Sequence, residues 1–195
     1  KEFHKVEVPE SWKTAENDRA PQVATGNRKD LVDFVNNILI PSTAQHGVDL
    51  PVSAFKDAAD GTFPVGSSAY EKRGVAVDVP CWNPANCIQC NFCSYVCPHA
   101  VIRPVAMTAE EAKAAPAAAK SADMTGMPGM KFVMTVSALD CTGCGVCATV
   151  CPGKKGEKAL SMQSLDSQMP QQEVFAYGQS LPDKEEVVAK FKETT

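Results

Sequence analysis

Nine cysteines stand in this chain of 195 residues, and eight of them fall into two runs with one spacing. The first run is Cys87-x2-Cys90-x2-Cys93-x3-Cys97-Pro98 and the second is Cys141-x2-Cys144-x2-Cys147-x3-Cys151-Pro152. Both match the pattern that ligates [4Fe–4S] clusters. The geometry explains the spacing: three thiolates must reach three corners of one cube, and steps of two intervening residues let a single loop wrap it. Backbone N–H groups of such a loop can also converge on the anionic sulfurs. The fourth cysteine lies one helical turn beyond the third, a rise of about 6 Å at ~1.5 Å per residue. In two-cluster proteins that fourth cysteine serves the other cluster. The expectation is therefore crossed: Cys87, Cys90, Cys93 and Cys151 around one cluster, and Cys141, Cys144, Cys147 and Cys97 around the other. No catalytic residue is read from the sequence.

Two other uses of cysteine compete with this one. Structural zinc takes two pairs of ligands, so neither the third cysteine nor the proline after the fourth is needed for it. Disulfides need an oxidising compartment, and the chain opens Lys1-Glu2-Phe3-His4 without an apolar leader. A cytoplasmic setting is expected on that ground. The missing initiator Met suggests a processed product or a segment of something longer. Cys81 falls outside both runs and reads as a buried free thiol. Phe92 and Tyr95 beside the first run are expected to pack against the cluster and shield it. His99, Lys154 and Lys155 read as surface groups.

The elements that must position the cysteines also occur twice. A β-like run, Val75–Val79, precedes the first motif, and apolar Ala100-Val101-Ile102 follows it. Phe132–Val136 precedes the second motif, and Ala159–Met162 follows it. This internal repeat gives the expected fold class: α+β, a bacterial ferredoxin-like pseudo-two-fold repeat with an insertion between the halves. The domain would span residues 74–165, with the insert at about 103–131. In the insert, Thr108-Ala109-Glu110-Glu111 resembles a capping box ahead of an Ala-rich helix, with Pro116 interrupting it. Met124, Met127 and Met130 read as packing groups rather than a soft metal site.

Residues 1–73 hold no cysteine and form the expected linker/adaptor region, a small irregular domain preceding the repeat. A helix is expected from Asp30 through Ile40, stopped by Pro41. Whether this region is an adaptor that packs on a neighbour or a small α/β lobe stays open at this point. Residues 166–195 read as a C-terminal connecting segment, with 183–192 either a short charged helix or a solvated linker.

Net charge and hydropathy narrow the partners. Nineteen Lys and Arg against 23 Asp and Glu give a formal net charge of −4, which argues against nucleic-acid binding. No run approaches the length of a membrane span. Each cluster with four thiolates would add about −2 when oxidised. An acidic carrier of this kind is steered toward basic partners.

Beyond the cysteines, several stretches carry a more specific likeness. Leu50–Phe55, Asp60–Gly66, Tyr70-Glu71-Lys72-Arg73-Gly74, Cys87-Ile88-Gln89-Cys90-Asn91 and Cys97-Pro98-His99-Ala100 resemble pyruvate:ferredoxin (flavodoxin) oxidoreductase. The likeness is to the segment holding its linker domain and its 2[4Fe–4S] ferredoxin-type domain. It implies electron transfer through the medial and distal clusters toward ferredoxin or flavodoxin. It further implies that thiamine diphosphate, coenzyme A and a third cluster belong to the remaining domains of a parent enzyme, itself a homo-oligomer. A freestanding 2[4Fe–4S] carrier is the alternative function, and a structural metal module without redox work is a third.

Overall fold

The computed structural model describes residues 4–14 and 22–191. The start of the chain at residues 1–3 and the end of the charged tail, 192–195, lie outside the described residues. The chain divides into two compact units, Lys1–Lys72 and Arg73–Thr195.

The first unit is built from helical turns, and among its described residues it contains no strand. Its main helix is α1, Lys29–Phe34, which widens into a π-helical turn at Val35–Leu39 and resumes as α2, Ile40–Thr43. Pro41 therefore does not stop this helix. Proline lacks an N–H, and its ring would meet the carbonyl four residues back. A wider turn removes both conflicts: Ile40 N–H donates to Val35 O, and His46 N–H donates to Pro41 O at 2.8 Å. The apolar stripe turns Val35 fully inward. The Asn36 amide both accepts from Ala24 N–H (2.9 Å) and donates to Ala24 O (3.0 Å), which holds a buried Ala24 against the helix. Phe34 meets Phe63 at 5.1 Å between ring centroids. Val48, Val52 and Val65 nevertheless stay exposed.

Among its described residues the second unit carries five strands. They are β1 (Asp78–Trp82), β2 (Ile102–Thr108), β3 (Ala122–Asp123), β4 (Met130–Val136) and β5 (Leu160–Ser164). The helices are α3 (Phe92–Tyr95), α4 (Ala109–Ala114), α5 (Val146–Val150), α6 (Leu165–Gln168), α7 (Gln171–Ser180) and α8 (Glu185–Phe191). β1 pairs antiparallel with β5, and β2, β4 and β3 form a second antiparallel sheet with β4 in the middle. In β1·β5, Trp82 lies opposite Leu160; in β2·β4, Ile102 lies opposite Val136. Each sheet thus joins a strand flanking one cysteine run to a strand flanking the other.

β4 explains why one strand reads as a continuous apolar run. Its side chains alternate between two faces. Phe132, Met134 and Val136 join the core shared with Val79, Trp82, Ile102 and Leu160. Val133 faces the other way and packs with Met107 and Val174 of α7. α7 can approach because Gly178 has no side chain: a Cβ there would stand 3.0 Å from Thr135 Cγ2 and 3.1 Å from Val105 Cγ2. α7 also reaches toward the second cysteine run. Gln172 Oε1 accepts from Leu139 N–H (3.1 Å) and from Ser137 Oγ (3.2 Å), at the turn just before Cys141.

The insert has the expected start. Thr108 Oγ1 accepts from Glu111 N–H (3.1 Å), while the Glu111 carboxylate accepts from Thr108 N–H (2.7 Å), a complete capping box. The helix ends at Ala114, ahead of Pro116. In the tail, α8 is helical through Phe191 and is tied back by Lys184 Nζ, 3.0 Å from Glu111 Oε1.

Candidate metal centre

Each cysteine run is a short loop leading into a one-turn helix, and the two loops share a backbone. A 3-10 turn, Pro84–Asn86, precedes Cys87, and another, Ala138–Asp140, precedes Cys141. The second residue after each first cysteine, Gln89 and Gly143, has a positive φ (59° and 70°); so has the residue after each second cysteine, Asn91 and Gly145 (59° and 74°). This left-handed backbone turns N–H groups inward. Gln89 N–H points at Cys87 Sγ (3.4 Å) and Gly143 N–H at Cys141 Sγ (3.3 Å).

The equivalent left-handed positions differ for structural reasons. At Gly143 a Cβ would lie 3.0 Å from Asp78 O and 3.2 Å from Ala76 Cβ, so a side chain there would be crowded and glycine is favoured. At Gln89 the side chain has room and a role. Its Nε2 donates to Asp123 O (2.7 Å), and its Oε1 accepts from Thr125 N–H (2.9 Å). The amide of Gln89 thereby latches the insert onto the first loop.

Two cavities result, enclosing about 340 and 330 Å³ of space that is partly open to solvent. Cys87, Cys90, Cys93 and Cys151 line one, with Trp82, Met134 and Leu160 among its walls. Cys97, Cys141, Cys144 and Cys147 line the other, with Ile102, Val146 and Met162 among its walls. The structure thus brings three cysteines of one run together with the last of the other, twice. Among the described residues, no three His, Cys, Asp or Glu side chains gather as a site for a single ion. The last cysteines arrive from the helix ends. Ala159 N–H donates toward Cys151 Sγ (3.3 Å), and Lys158 Nζ binds the terminal carbonyls of α5, Ala148 O (2.6 Å) and Thr149 O (2.9 Å).

The thiols sit in unequal surroundings. Cys93, Cys141 and Cys147 are buried, whereas Cys90 and Cys144 are exposed. Burial pushes the Cys93 thiol up to about 12, with the neighbouring Cys87, Cys90 and Cys147 adding to it. Burial likewise raises Cys147 to about 11, and Cys141 also moves up. Burial thus keeps these three as thiols at neutral pH, and a metal centre bound there would displace their protons. Cys147 acts on Cys93, as the packing of α3 against α5 allows, so the third cysteines of the two runs lie near each other.

A set of four thiols with apolar walls suits a soft, thiolate-bound centre. One wall residue strengthens the fit. The indole Nε1 of Trp82 is buried and has no hydrogen-bond partner, although Trp82 lines the first cavity. A buried donor left unsatisfied costs about 1–3 kcal/mol. An anionic sulfur in that cavity within reach of Nε1 would satisfy it.

Several sequence readings need correction or placement. Phe92 and Tyr95 do not shield a cluster: Tyr95 is 90% exposed and Phe92 is 55% exposed. α3 is a single turn, and with Cys93 facing in, its aromatic neighbours fall on the outer side. His99 is exposed at the lip of the second cavity. Cys81 lines neither cavity; it is half-buried on β1 opposite Ser161, with Lys120 Nζ 4.0 Å from its sulfur. Lys154 and Lys155 are exposed in a hairpin turn closed by Lys154 and Glu157. Sequence reasoning missed Trp82, Gln89 and the Ala159 N–H. Only Trp82 left a signal, an indole five residues before the first ligand.

Comparison with known proteins matches this architecture. Residues 86–155 match a family model described as a 4Fe-4S dicluster domain, and residues 19–76 match one described as a domain of unknown function (EKR). The chain is 46% identical over 187 residues to a pyruvate-flavodoxin oxidoreductase of Enterobacter agglomerans, covering 96% of this chain and 15% of that protein. It is 43% identical over 193 residues to the Klebsiella pneumoniae protein of the same name, covering 99% of this chain and 16% of that protein. A pyruvate:ferredoxin oxidoreductase of Moorella thermoacetica is 47% identical over 102 residues, 52% of this chain and 8% of its own length. The chain therefore spans about a sixth of the length of the first two relatives. No helix among the described residues is long and apolar enough to cross a membrane. Over nearly its whole length, then, the chain is homologous to one segment of the pyruvate-flavodoxin oxidoreductases, and that segment carries a 4Fe-4S dicluster domain.

Proposed function

We propose that this chain is the electron-transfer module of a pyruvate (2-oxoacid):ferredoxin/flavodoxin oxidoreductase, holding the medial and distal of that enzyme's [4Fe–4S] clusters. One cluster is held by Cys87, Cys90, Cys93 and Cys151, the other by Cys141, Cys144, Cys147 and Cys97. The observation that carries this reading is the composition of the two cavities, each lined by four cysteines drawn three and one from the two runs. Each cubane supplies a one-electron couple; the protein supplies everything that places and tunes it.

The chain's own residues divide that work. The left-handed loops aim Gln89 N–H and Gly143 N–H at cysteine sulfurs, and Ala159 N–H serves Cys151. Such donors stabilise negative charge on sulfur and so raise the reduction potential. The apolar core around Val79, Ile102, Met134 and Leu160 keeps water from the inner faces, which disfavours added charge and lowers it. Packing of α3 on α5 sets Cys93 near Cys147, a short route between the two centres. The exposed Cys90 and Cys144 loops are where electrons enter and leave.

The domain plan follows from the same reading. Residues 74–165 form a pseudo-two-fold repeat whose sheets are exchanged across the insert, residues 1–73 act as the linker, and 166–195 connect onward. Exposed Val48, Val52 and Val65 in the first unit support an adaptor that packs on the remaining domains of a cytoplasmic, homo-oligomeric parent enzyme. Those domains would hold thiamine diphosphate, coenzyme A and a third cluster, with ferredoxin or flavodoxin as the external acceptor.

Iron and sulfide analysis of anaerobically prepared protein should find about eight of each per chain. Cys151→Ser should damage the cluster built on Cys87, Cys90 and Cys93 and leave the other spectroscopically intact. Loss of the cluster built on Cys141, Cys144 and Cys147 instead would overturn the crossed ligation. Zinc in place of iron would overturn the function.

A further inference from the structure

The two cavities are matched in cysteines and unmatched in donors. Trp82 closes β1 opposite Leu160 and is 6% exposed. Its ring is wedged edge-on against Phe132, at 5.9 Å between centroids and 62° between planes. These contacts fix the indole, yet its Nε1–H reaches no acceptor among the described residues. An indole nitrogen can only donate, and buried tryptophans ordinarily find a partner. The cavity that Trp82 lines with Cys87, Cys90, Cys93 and Cys151 offers otherwise mostly apolar walls: Ile88, Met134, Pro152, Ala159 and Leu160. In the second half of the repeat, the residue standing where Trp82 stands is Val136, which has no polar group. The backbone donors are uneven in the same direction. Among the described residues, Cys87, Cys93 and Cys151 each receive a backbone N–H around the first cavity, against Cys141 and Cys147 around the second.

We propose that the Trp82 indole N–H donates a hydrogen bond to a sulfur of the cluster in the first cavity, making it the higher-potential member of the pair. This rests on the reading that both cavities hold [4Fe–4S] clusters. The sign follows from charge: reduction adds one electron to an already anionic centre, and a donor on sulfur stabilises the added charge. Trp82 is thus a positioning and tuning residue. It makes no bond to iron, and its effect falls on one of two nearly symmetrical centres. An electron shared between them would rest on the first cluster.

The test compares the holoprotein with Trp82→Phe and with Trp82 replaced by its benzothiophene isostere, which keeps the shape and lacks the N–H. The isostere covers the case in which Phe leaves a void and loosens the fold. Protein-film voltammetry should show the higher of the two couples moving to lower potential in both variants while the lower couple holds. With isotope-labelled indole nitrogen, pulsed electron paramagnetic resonance of the reduced protein should show a nitrogen coupling that Trp82→Phe abolishes. Unmoved couples, equal movement of both, movement of the lower one alone, or absence of the coupling would each overturn the proposal. Iron and sulfide content is read on the same samples. A wild-type protein that binds no iron defeats the cluster assignment, whereas a fully loaded one with unmoved couples defeats only the role of Trp82.

Discussion

Gly143 and Gln89 occupy the same backbone conformation in the two cysteine loops, so one alanine substitution at each separates conformation from surroundings. For Gly143→Ala, the left-handed backbone (φ 70°) costs a residue with a Cβ roughly 1–2 kcal/mol. The new Cβ would also lie 3.0 Å from Asp78 O and 3.2 Å from the buried Ala76, and crowding of this kind adds about 1 kcal/mol or more. The expected total is about 2–3 kcal/mol. With a urea slope of roughly 1–3 kcal/mol per M, the midpoint for loss of the visible cluster absorption should fall by about 1–2 M. Gln89→Ala carries no new backbone penalty, because Gln89 already bears a Cβ at φ 59°. It loses two exposed hydrogen bonds to Asp123 and Thr125, about 0.5–1 kcal/mol each at most. Its signature is local: the Thr125 amide should exchange with deuterium much faster, while amides of β1 keep their protection. The assay is urea titration of both anaerobic holoproteins, followed by hydrogen exchange read by mass spectrometry. A Gly143→Ala midpoint equal to wild type, or a Thr125 amide that exchanges no faster in Gln89→Ala, would refute the reasoning.

Further outcomes are expected at the thiols and at the capping box. In the metal-free protein, iodoacetamide should label the exposed Cys90 and Cys144 well before Cys93 and Cys147 at pH 8. Burial holds the latter two as thiols up to about 12 and about 11, and their labelling should still be accelerating between pH 9 and pH 10; equal rates by peptide mass spectrometry would contradict this. Thr108→Ala should remove one half of the capping box at α4 and cost about 1 kcal/mol. Glu111 is held below the usual glutamate range by its bond from the Thr108 N–H and then by Lys184. Its contribution is therefore complete above about pH 4.5 and fades as pH falls through its lowered folded value. Wild-type protein should lose hydrogen-exchange protection of the insert in that acid window, and Lys184→Ala should move the loss to higher pH.

Much of this molecule can be read from the chain because its strongest signals are local. Cysteine spacing is a matter of loop geometry, and it is visible without a fold. The Thr108–Glu111 capping box closes within four residues, so the sequence alone predicts it and the helix after it. Pro116 ends that helix for an equally local reason. Pro41 shows the limit of such rules. The same steric argument predicts a stop there, but burial of Val35 and the Asn36–Ala24 clamp hold the segment helical, and a π turn absorbs the conflict.

What remained hidden depends on partners distant in sequence. The exposure of Phe92 and Tyr95 follows from the orientation of a one-turn helix whose inner face is taken by Cys93. α7 docks on β4 only because Gly178 lets two backbones approach, and no periodic pattern in residues 165–180 announces it. The bonds of Gln89 to the insert and the place of Trp82 in the wall of a cavity rest on long-range packing. The sequence by itself determined the number, type and spacing of the thiols, because those are properties of adjacent residues. The crossed grouping of the thiols was also legible, whereas the tertiary structure alone decided which of them are dry and which unpaired N–H belongs to a wall residue of their cavity. Those facts are set by the pairing of β1 with β5 and β2 with β4 across the insert, and strand pairing at that range is chosen by the burial of a whole core rather than by any short stretch of chain.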